Sequence, residues 1–421
     1  MKLTYFYSAT VSIQTDDLLI VCDPWFTQGA YDGSWFHFPR KIDNPIEDIG
    51  GEKVDYIYIS HIHPDHYDPK FLHSFLLKYP SVKIIISDFN VNVLAREMDK
   101  DNIPFEIVSE IKYRDTSIKL FPCHSHKYDI DSALVIKDDK TVIANLNDNP
   151  YNEEQLNRIK EYAGIIDVAL LPYAGAGPFP QTYYETTNTF LQEKMKEKEK
   201  RFIDEYLDFK NYLKPKKSLP FAGSYVLGGK LSYLNNYLGV PDATKILDFD
   251  TDAFILNDGG KAYFDTDTMK ASDVRTLPYK KEVLDTYLLK ISTEVMNYEK
   301  DFAGFNPDKI DFTALFKIAY KNALSHSLCK TDYYYCFFIN DKYTTINTNP
   351  DKHTLEITDD VQHYSPRSEI YIDLKYLFGL LHKTYHWNNA EVGSHVMVRR
   401  YPDEFNRFVQ IFLNYLHIEL R

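Results

Sequence analysis

Two periodicities alternate along the first half of the chain. LTYFYSATVSIQT and DLLIVCDPW carry strand character, and VDYIYIS (residues 54–60) is a continuous β-branched and aromatic run as long as a buried strand. PKFLHSFLLKY then sets Phe71, Leu72, Phe75 and Leu76 on one helical face behind Pro69, which suits a first helical turn. VKIIIS returns as a strand and NVLAREMDKDN as a helix. SIKLFPCHSH and SALVIKDDKTVIANLND read as strands, the second a pair joined at Asp138-Asp139-Lys140, before a helix EEQLNRIKEYAG and a buried strand IDVALLPYA. The alternation predicts an α/β unit of mixed sheets with helices outside.

Residues 190–217, dense in Lys and Glu with apolar residues at helical spacing, read as a solvated helix with i,i+4 charge pairs. From about Lys280 helical patterns alternate with β-type runs such as DYYYCFFIND and YTTINT. A chain of 421 residues is too long for one ordinary core. The expected division is an α/β domain over 1–260 and a smaller α+β domain over 261–421, placed to cover the active site.

Composition narrows the function classes. An apolar fraction of 44% and a charged fraction of 26% are those of a globular protein. The net charge of -13 and pI of about 5.5 argue against a general affinity for nucleic acid or anionic membranes. No apolar stretch approaches the roughly 20 residues that span a bilayer. The N-terminus lacks a charged segment followed by an apolar run, and the four cysteines form no CxxC pair, so a cytoplasmic protein with reduced thiols is expected. The composition is silent on oligomeric state.

Chemistry concentrates in YIYISHIHPDHYDPKF. His61, His63, Asp65 and His66 form H-x-H-x-D-H where a buried strand turns into a helix, the sheet edge at which α/β proteins hold ligands. Imidazole with carboxylate suits Zn, Fe or Mn: His61 and His63 converge on one ion, while Asp65 and His66 face a second. The bland alternative is an exposed polar turn, which rarely gathers four donors at this spacing. Elsewhere, Asp23 sits at a strand end where it can hydrogen-bond a ligating histidine, and Trp25 and Trp35 are candidate pocket walls, with a packed Pro-Trp turn as the competing account of Trp25. In AGAGPFP, Gly175 and Gly177 let backbone approach a ligand closely.

ISHIHPDH resembles the signature of the metallo-β-lactamase superfamily. DPWFTQGAYDGSW, AGAGPFP and PFAGSYV, in that order, are similar to segments of the lactamase-like region of CMP-N-acetylneuraminate hydroxylase and its bacterial relatives. The likeness covers roughly residues 14–238. It implies an αββα sandwich with one or two transition-metal ions between the sheets. It also implies a third histidine before a strand, for which FPCHSHKYDIDSALVI offers His124 and His126. His126 is preferred because DSALVI begins at the expected distance; His124 then has a supporting or surface role. The bridging aspartate implied by the family is Asp148 at the end of VIANLND. Two departures stand out. No histidine lies between His126 and His326 to serve as the family's last ligand, and no paired Cys/His motif marks a Rieske centre.

HWNNAEVGSH also resembles the end segment of bacterial proteins of this group. His386, Asn389, Glu391 and His395 are its candidates for closing over the active site, against a purely structural turn. Arg367, Arg399 and Arg400 are candidates for an anionic substrate group. The preferred expectation is a metal-dependent hydrolase acting on a phosphoryl or acyl centre of a small molecule, anionic and related to a sugar nucleotide or a lipid, with Asp65 orienting the attacking water. The alternatives are an iron-dependent oxidoreductase on the same residues, which needs an external electron donor, and a degenerate lactamase fold that only binds a ligand.

Overall fold

The structure, a computed structural model, describes residues 1–123 and 131–419. Among the described residues two large sheets lie face to face. The first runs, edge to edge, Lys270–Ala271, Tyr263–Asp265, Lys2–Tyr7, Thr10–Gln14, Leu19–Cys22, Tyr56–Ile59, Lys83–Ile86 and Glu106–Ile107. Its pairings are antiparallel as far as Leu19–Cys22 and parallel beyond it. The second runs Lys217–Phe221, Val168–Pro172, Val142–Asn145, Ser132–Lys137, Thr116–Pro122 and Glu110–Tyr113.

Strand periodicity assigns each face. Tyr58 and Ile85 turn inward and meet Ile118, Leu134, Ile136 and Leu170 of the facing sheet. Ile57, Ile59, Ile84 and Ile86 turn outward and bury Phe71, Leu72 and Phe75 of helix Pro69–Lys78 and Leu94 and Met98 of helix Val93–Lys100. On the other side Ala133, Val135 and Leu171 take Leu156 and Ile159 of helix Glu153–Ala163 and Phe202 and Tyr206 of helix Thr189–Leu213. The layers are therefore αββα, as the sequence resemblance implies. The buried Tyr58 hydroxyl donates to the Ser132 carbonyl at 2.8 Å and fastens the two sheets together at the edge that carries the histidine motif.

Hydrogen bonding adds two strands beyond residue 260 to the first sheet. Tyr263–Asp265 pairs with Lys2–Tyr7, and Lys270–Ala271 pairs with Tyr263–Asp265 in turn. Beyond lies a region built on a sheet of order Leu355–Thr358, Lys342–Asn347, Tyr334–Ile339, Arg367–Tyr371 and Met397–Tyr401. Helices Phe312–His326, Leu374–Leu381 and Arg407–Leu413 pack on it. Its core is continuous with Trp25, Tyr31, Trp35 and Leu227 of the first unit, so the two regions share an interior. No helix among the described residues is long and apolar enough to cross a membrane.

Leu134, fully buried between the sheets, and Leu77, 87% exposed on a helix, make a matched pair. Leu134→Ala is expected to cost about 2–5 kcal/mol in urea unfolding, whereas Leu77→Ala shifts it by less than about 0.5 kcal/mol.

Candidate metal centre

The centre is assembled where three strands end. Parallel pairing of Cys22 with Tyr58 brings Asp23 alongside Ser60, one residue before the first motif histidine. Asp23 is fully buried and left-handed (φ 44°), a conformation an aspartate tolerates better than most residues. Its Oδ1 accepts from the Ser60 amide at 2.7 Å and its Oδ2 from the Ser60 hydroxyl at 2.8 Å. Asp68 ties the next turn down in the same way. It caps helix Pro69–Lys78 through the Phe71 amide at 3.0 Å and accepts from the Phe26 and Thr27 amides at 3.0 and 2.7 Å.

These bonds decide which way the imidazoles face. His66 Nδ1 lies 3.0 Å from Asp23 Oδ2, and His61 Nδ1 lies 2.9 Å from the Ser60 hydroxyl, which itself donates to Asp23. Both rings are thus protonated at Nδ1 and turn Nε2 toward the space between the sheets. There His61 Nε2 stands 2.8 Å from His63 Nδ1, and one Asp148 oxygen, Oδ1, lies 3.9 Å from His61 Nε2 and 3.7 Å from His66 Nε2. His61, His66 and Asp148 each offer a donor atom within 4.8 Å of the others. Asp65 joins with Oδ2 at 3.6 Å from His66 Nε2.

A further carboxylate, Asp131, completes the cluster. Asp131 immediately precedes strand Ser132–Lys137, which pairs with the strand that ends at Asn145, and Asp131 Oδ1 lies 3.4 Å from His61 Nδ1. Among the described residues neither Asp131 Oδ1 nor Asp148 Oδ1, both sealed from solvent, has a hydrogen-bond partner. Burial, and then the Asp148 charge, push the Asp131 carboxyl up to about 7, whereas the three imidazoles hold Asp148 below the usual carboxylate range against its own desolvation. Burial alone would lower His66, but Asp148, Asp65 and Asp23 outweigh it and raise the imidazolium to about 10. Burial and the His66 charge push His61 down to about 4, and burial with His61 lowers His63.

A buried Asp148 oxygen with no partner among the described residues, set between His61 Nε2 and His66 Nε2, is what a cation would satisfy, taking the place of the proton on His66. The donors present therefore fit one or two transition-metal ions. His61, His66 and Asp148 would hold one, with Asp65 Oδ2 at 3.6 Å from His66 Nε2. His124 and His126 lie outside the described residues.

Other expected residues fall into two groups. Trp35 stacks face to face on Tyr225, with centroids 3.4 Å apart, and borders Tyr31 at 4.5 Å. Tyr31 donates to Asp65 Oδ1 at 2.7 Å, and the buried His395 donates from Nε2 to the Tyr31 carbonyl at 2.9 Å, so His395 reaches the centre through Tyr31. Gly175 shares a cavity wall with Asp148, and a Cβ there would press on Phe202 at 3.1 Å. The second group has other side-chain or backbone partners. Trp25 is a core residue whose indole donates to the Thr27 carbonyl, and Gly177 accepts at its carbonyl from Gln181 at 2.7 Å. His386 is exposed and caps helix Trp387–Val392, Asn389 serves that helix's carbonyl ladder, and Glu391, pushed up to about 8 by burial, neighbours Tyr183 and Tyr335. Of the arginines, Arg367 pairs with Glu369, Arg400 with Asp403, and Arg399 donates to the Thr182 carbonyl.

Sequence reasoning missed Asp131, Ser60, Tyr31 and Tyr225. A signal existed for Asp131: it immediately precedes the strand that pairs with the one leading to Asp148.

Residues 2–198 match the profile of a beta-lactamase superfamily domain. That segment, a little under half of the chain, is similar to the superfamily's domain. Among curated proteins, one from Mycobacterium tuberculosis named for a Rieske 2Fe-2S iron-sulfur centre is 34% identical over 194 residues, 44% of this chain and 36% of the relative. The cytidine monophosphate-N-acetylneuraminic acid hydroxylase of Asterias rubens is 24% identical over 238 residues, 54% of this chain and 35% of the relative. The chain thus spans about a third of the length of these relatives. Solved structures that overlay include a possible metal-dependent hydrolase from Veillonella parvula (11% identity, TM-score 0.43, 62% of this chain and 97% of that one). Another is CmlA, a diiron beta-hydroxylase from Streptomyces venezuelae (12% identity, TM-score 0.40, 61% of this chain and 53% of that one).

Removing the partner that aims His66 should be felt at the metal. Asp23→Asn is expected to weaken metal affinity about 10–100-fold in competition with a chromophoric chelator. Unchanged affinity would show that Asp23 does not orient the ring.

Proposed function

We propose that the chain is a metal-dependent hydrolase-type enzyme acting on a phosphoryl or acyl centre of a small molecule. The observation that carries this reading is the Asp148 oxygen, unpartnered among the described residues, held between His61 Nε2 and His66 Nε2. When bound, the ion acidifies a water and polarises the bond to be broken. The chain supplies the rest. Asp23 and Ser60 keep both imidazoles in the Nδ1-protonated tautomer, leaving their Nε2 lone pairs for the ion. Tyr31 ties down one oxygen of Asp65 and leaves the other facing the centre, where it can orient the attacking water or hold a second ion. Asp131, 3.4 Å from His61 Nδ1, backs that ring from the side away from the ion.

An iron-dependent oxidoreductase is the second reading. It is favoured by the carboxylate-rich donor set of Asp65, Asp131 and Asp148, which suits iron, and by the hydroxylase and Rieske names of proteins similar over about half of this chain. It requires an electron donor beyond the residues described.

Elemental analysis of protein made in iron-replete medium, followed by assays on bis(p-nitrophenyl) phosphate and p-nitrophenyl acetate, tests the proposal. Bound metal with hydrolysis that falls at least about 100-fold in His61→Ala and in His63→Ala is expected. Full activity in both variants refutes it, and iron with substrate-dependent oxygen consumption selects the second reading.

A further inference from the structure

A cavity of about 750 Å³ opens beside the metal centre, with Asp148 in its wall. It lies between the ends of strands Val142–Asn145 and Val168–Pro172 and the helices Glu153–Ala163 and Thr189–Leu213. Of three cavities that differ in their lining, it is the one that includes Asp148. A second, of about 350 Å³, is lined by Arg40, Lys290 and Lys300, and a third, of about 530 Å³, holds the Arg275–Asp242 pair; neither includes a motif residue or Asp148.

Among the described residues, the charged groups that line this cavity are all carboxylates. Asn149 is 1% exposed, and its amide nitrogen is consumed by the Ser132 carbonyl at 3.0 Å and the Leu146 carbonyl at 3.1 Å. That fixes the orientation of the amide and holds Asn149 as part of the wall rather than as a group offered to a ligand. Glu153, Glu205 and Asp208 add three carboxylates around the mouth, and among the described residues no lysine or arginine lines it. Arg201 approaches Glu205 at 3.7 Å, but from outside the cavity, with both side chains more than half exposed. Tyr173, Phe202, Phe209 and Tyr212 supply the aromatic lining, and Arg201 and Lys160 already lie over the rings of Phe202 and Tyr212 at 5.2 and 5.3 Å.

Aromatic walls and a ring of carboxylates complement one ligand chemistry: an apolar group that carries a positive charge. Anions meet three like charges at the entrance, which speaks against the anionic substrate expected from the sequence. We propose that this cavity binds the part of the substrate adjoining the reacting centre, and that this part is an organic cation, an aromatic or branched-alkyl group bearing a protonated amine. The assignment rests on Asp148 being a metal ligand, since that is what joins the cavity to the chemistry.

The probes are phenethylamine, 2-phenylethanol and 3-phenylpropionate, which share a ring and differ in charge, titrated calorimetrically into the full chain with metal and after chelation. The amine is expected to bind about tenfold or more tightly than the alcohol, and the carboxylate more weakly than the alcohol. In the double variant Glu205→Gln/Asp208→Asn the amine and the alcohol become equal within about twofold, with metal content unchanged. Carboxylate binding as tight as the amine, a preference that persists in the double variant, or no saturable amine binding overturns the proposal. Tighter binding of Mg²⁺ than of the amine at Glu205 and Asp208 overturns it as well. Metal content, read separately, tells failure of this proposal from failure of the metal reading, because the amine preference resides in the mouth carboxylates and survives chelation.

Discussion

One buried carboxylate sets the geometry of everything around it. Asp23, without exposed surface, accepts from the Ser60 amide, the Ser60 hydroxyl and His66 Nδ1, and through Ser60 it also fixes His61. Two imidazoles cannot then rotate or change tautomer without breaking a charge-assisted bond in a dry interior. The parallel strands Leu19–Cys22 and Tyr56–Ile59 supply the register that makes this contact, so sheet topology becomes donor orientation with nothing flexible between them.

The same compactness sets up an electrostatic tension. Asp23, Asp65, Asp131 and Asp148 gather around one imidazolium, and its elevation to about 10 together with that of Asp131 to about 7 shows how protons stand in for missing positive charge. A divalent ion bound to these donors replaces protons as the counter-charge, so metal affinity and the stability of this sheet edge are one linked quantity.

The motif was legible because its chemistry is local: four donors within six residues, at the end of a run whose period marked a buried strand. The sandwich layers followed from the same alternation of period. What escaped was non-local or chemically ambiguous. The Tyr263–Asp265 strand, with three residues, is too short to show a period, and only its pairing with Lys2–Tyr7 attaches it to the first unit. Nothing in HWNNAEVGSH distinguishes His386, which caps a helix in solvent, from His395, which reaches Tyr31. The Tyr31 contact with Asp65 joins positions far apart in sequence, and only the folded chain brings them together. Asp131 stands directly before a legible strand, but an Asp-Ile-Asp run reads equally well as a turn.

The bond from His395 to the Tyr31 carbonyl spans 364 positions of the sequence. Synthesis runs from the N-terminus, so the histidine motif, Asp148 and the whole lactamase-like segment leave the ribosome long before the residue that braces the Tyr31 loop. The support for Asp65 is therefore among the last features to form on a nascent chain. Order of manufacture separates the making of the metal-binding sandwich from the final setting of Asp65.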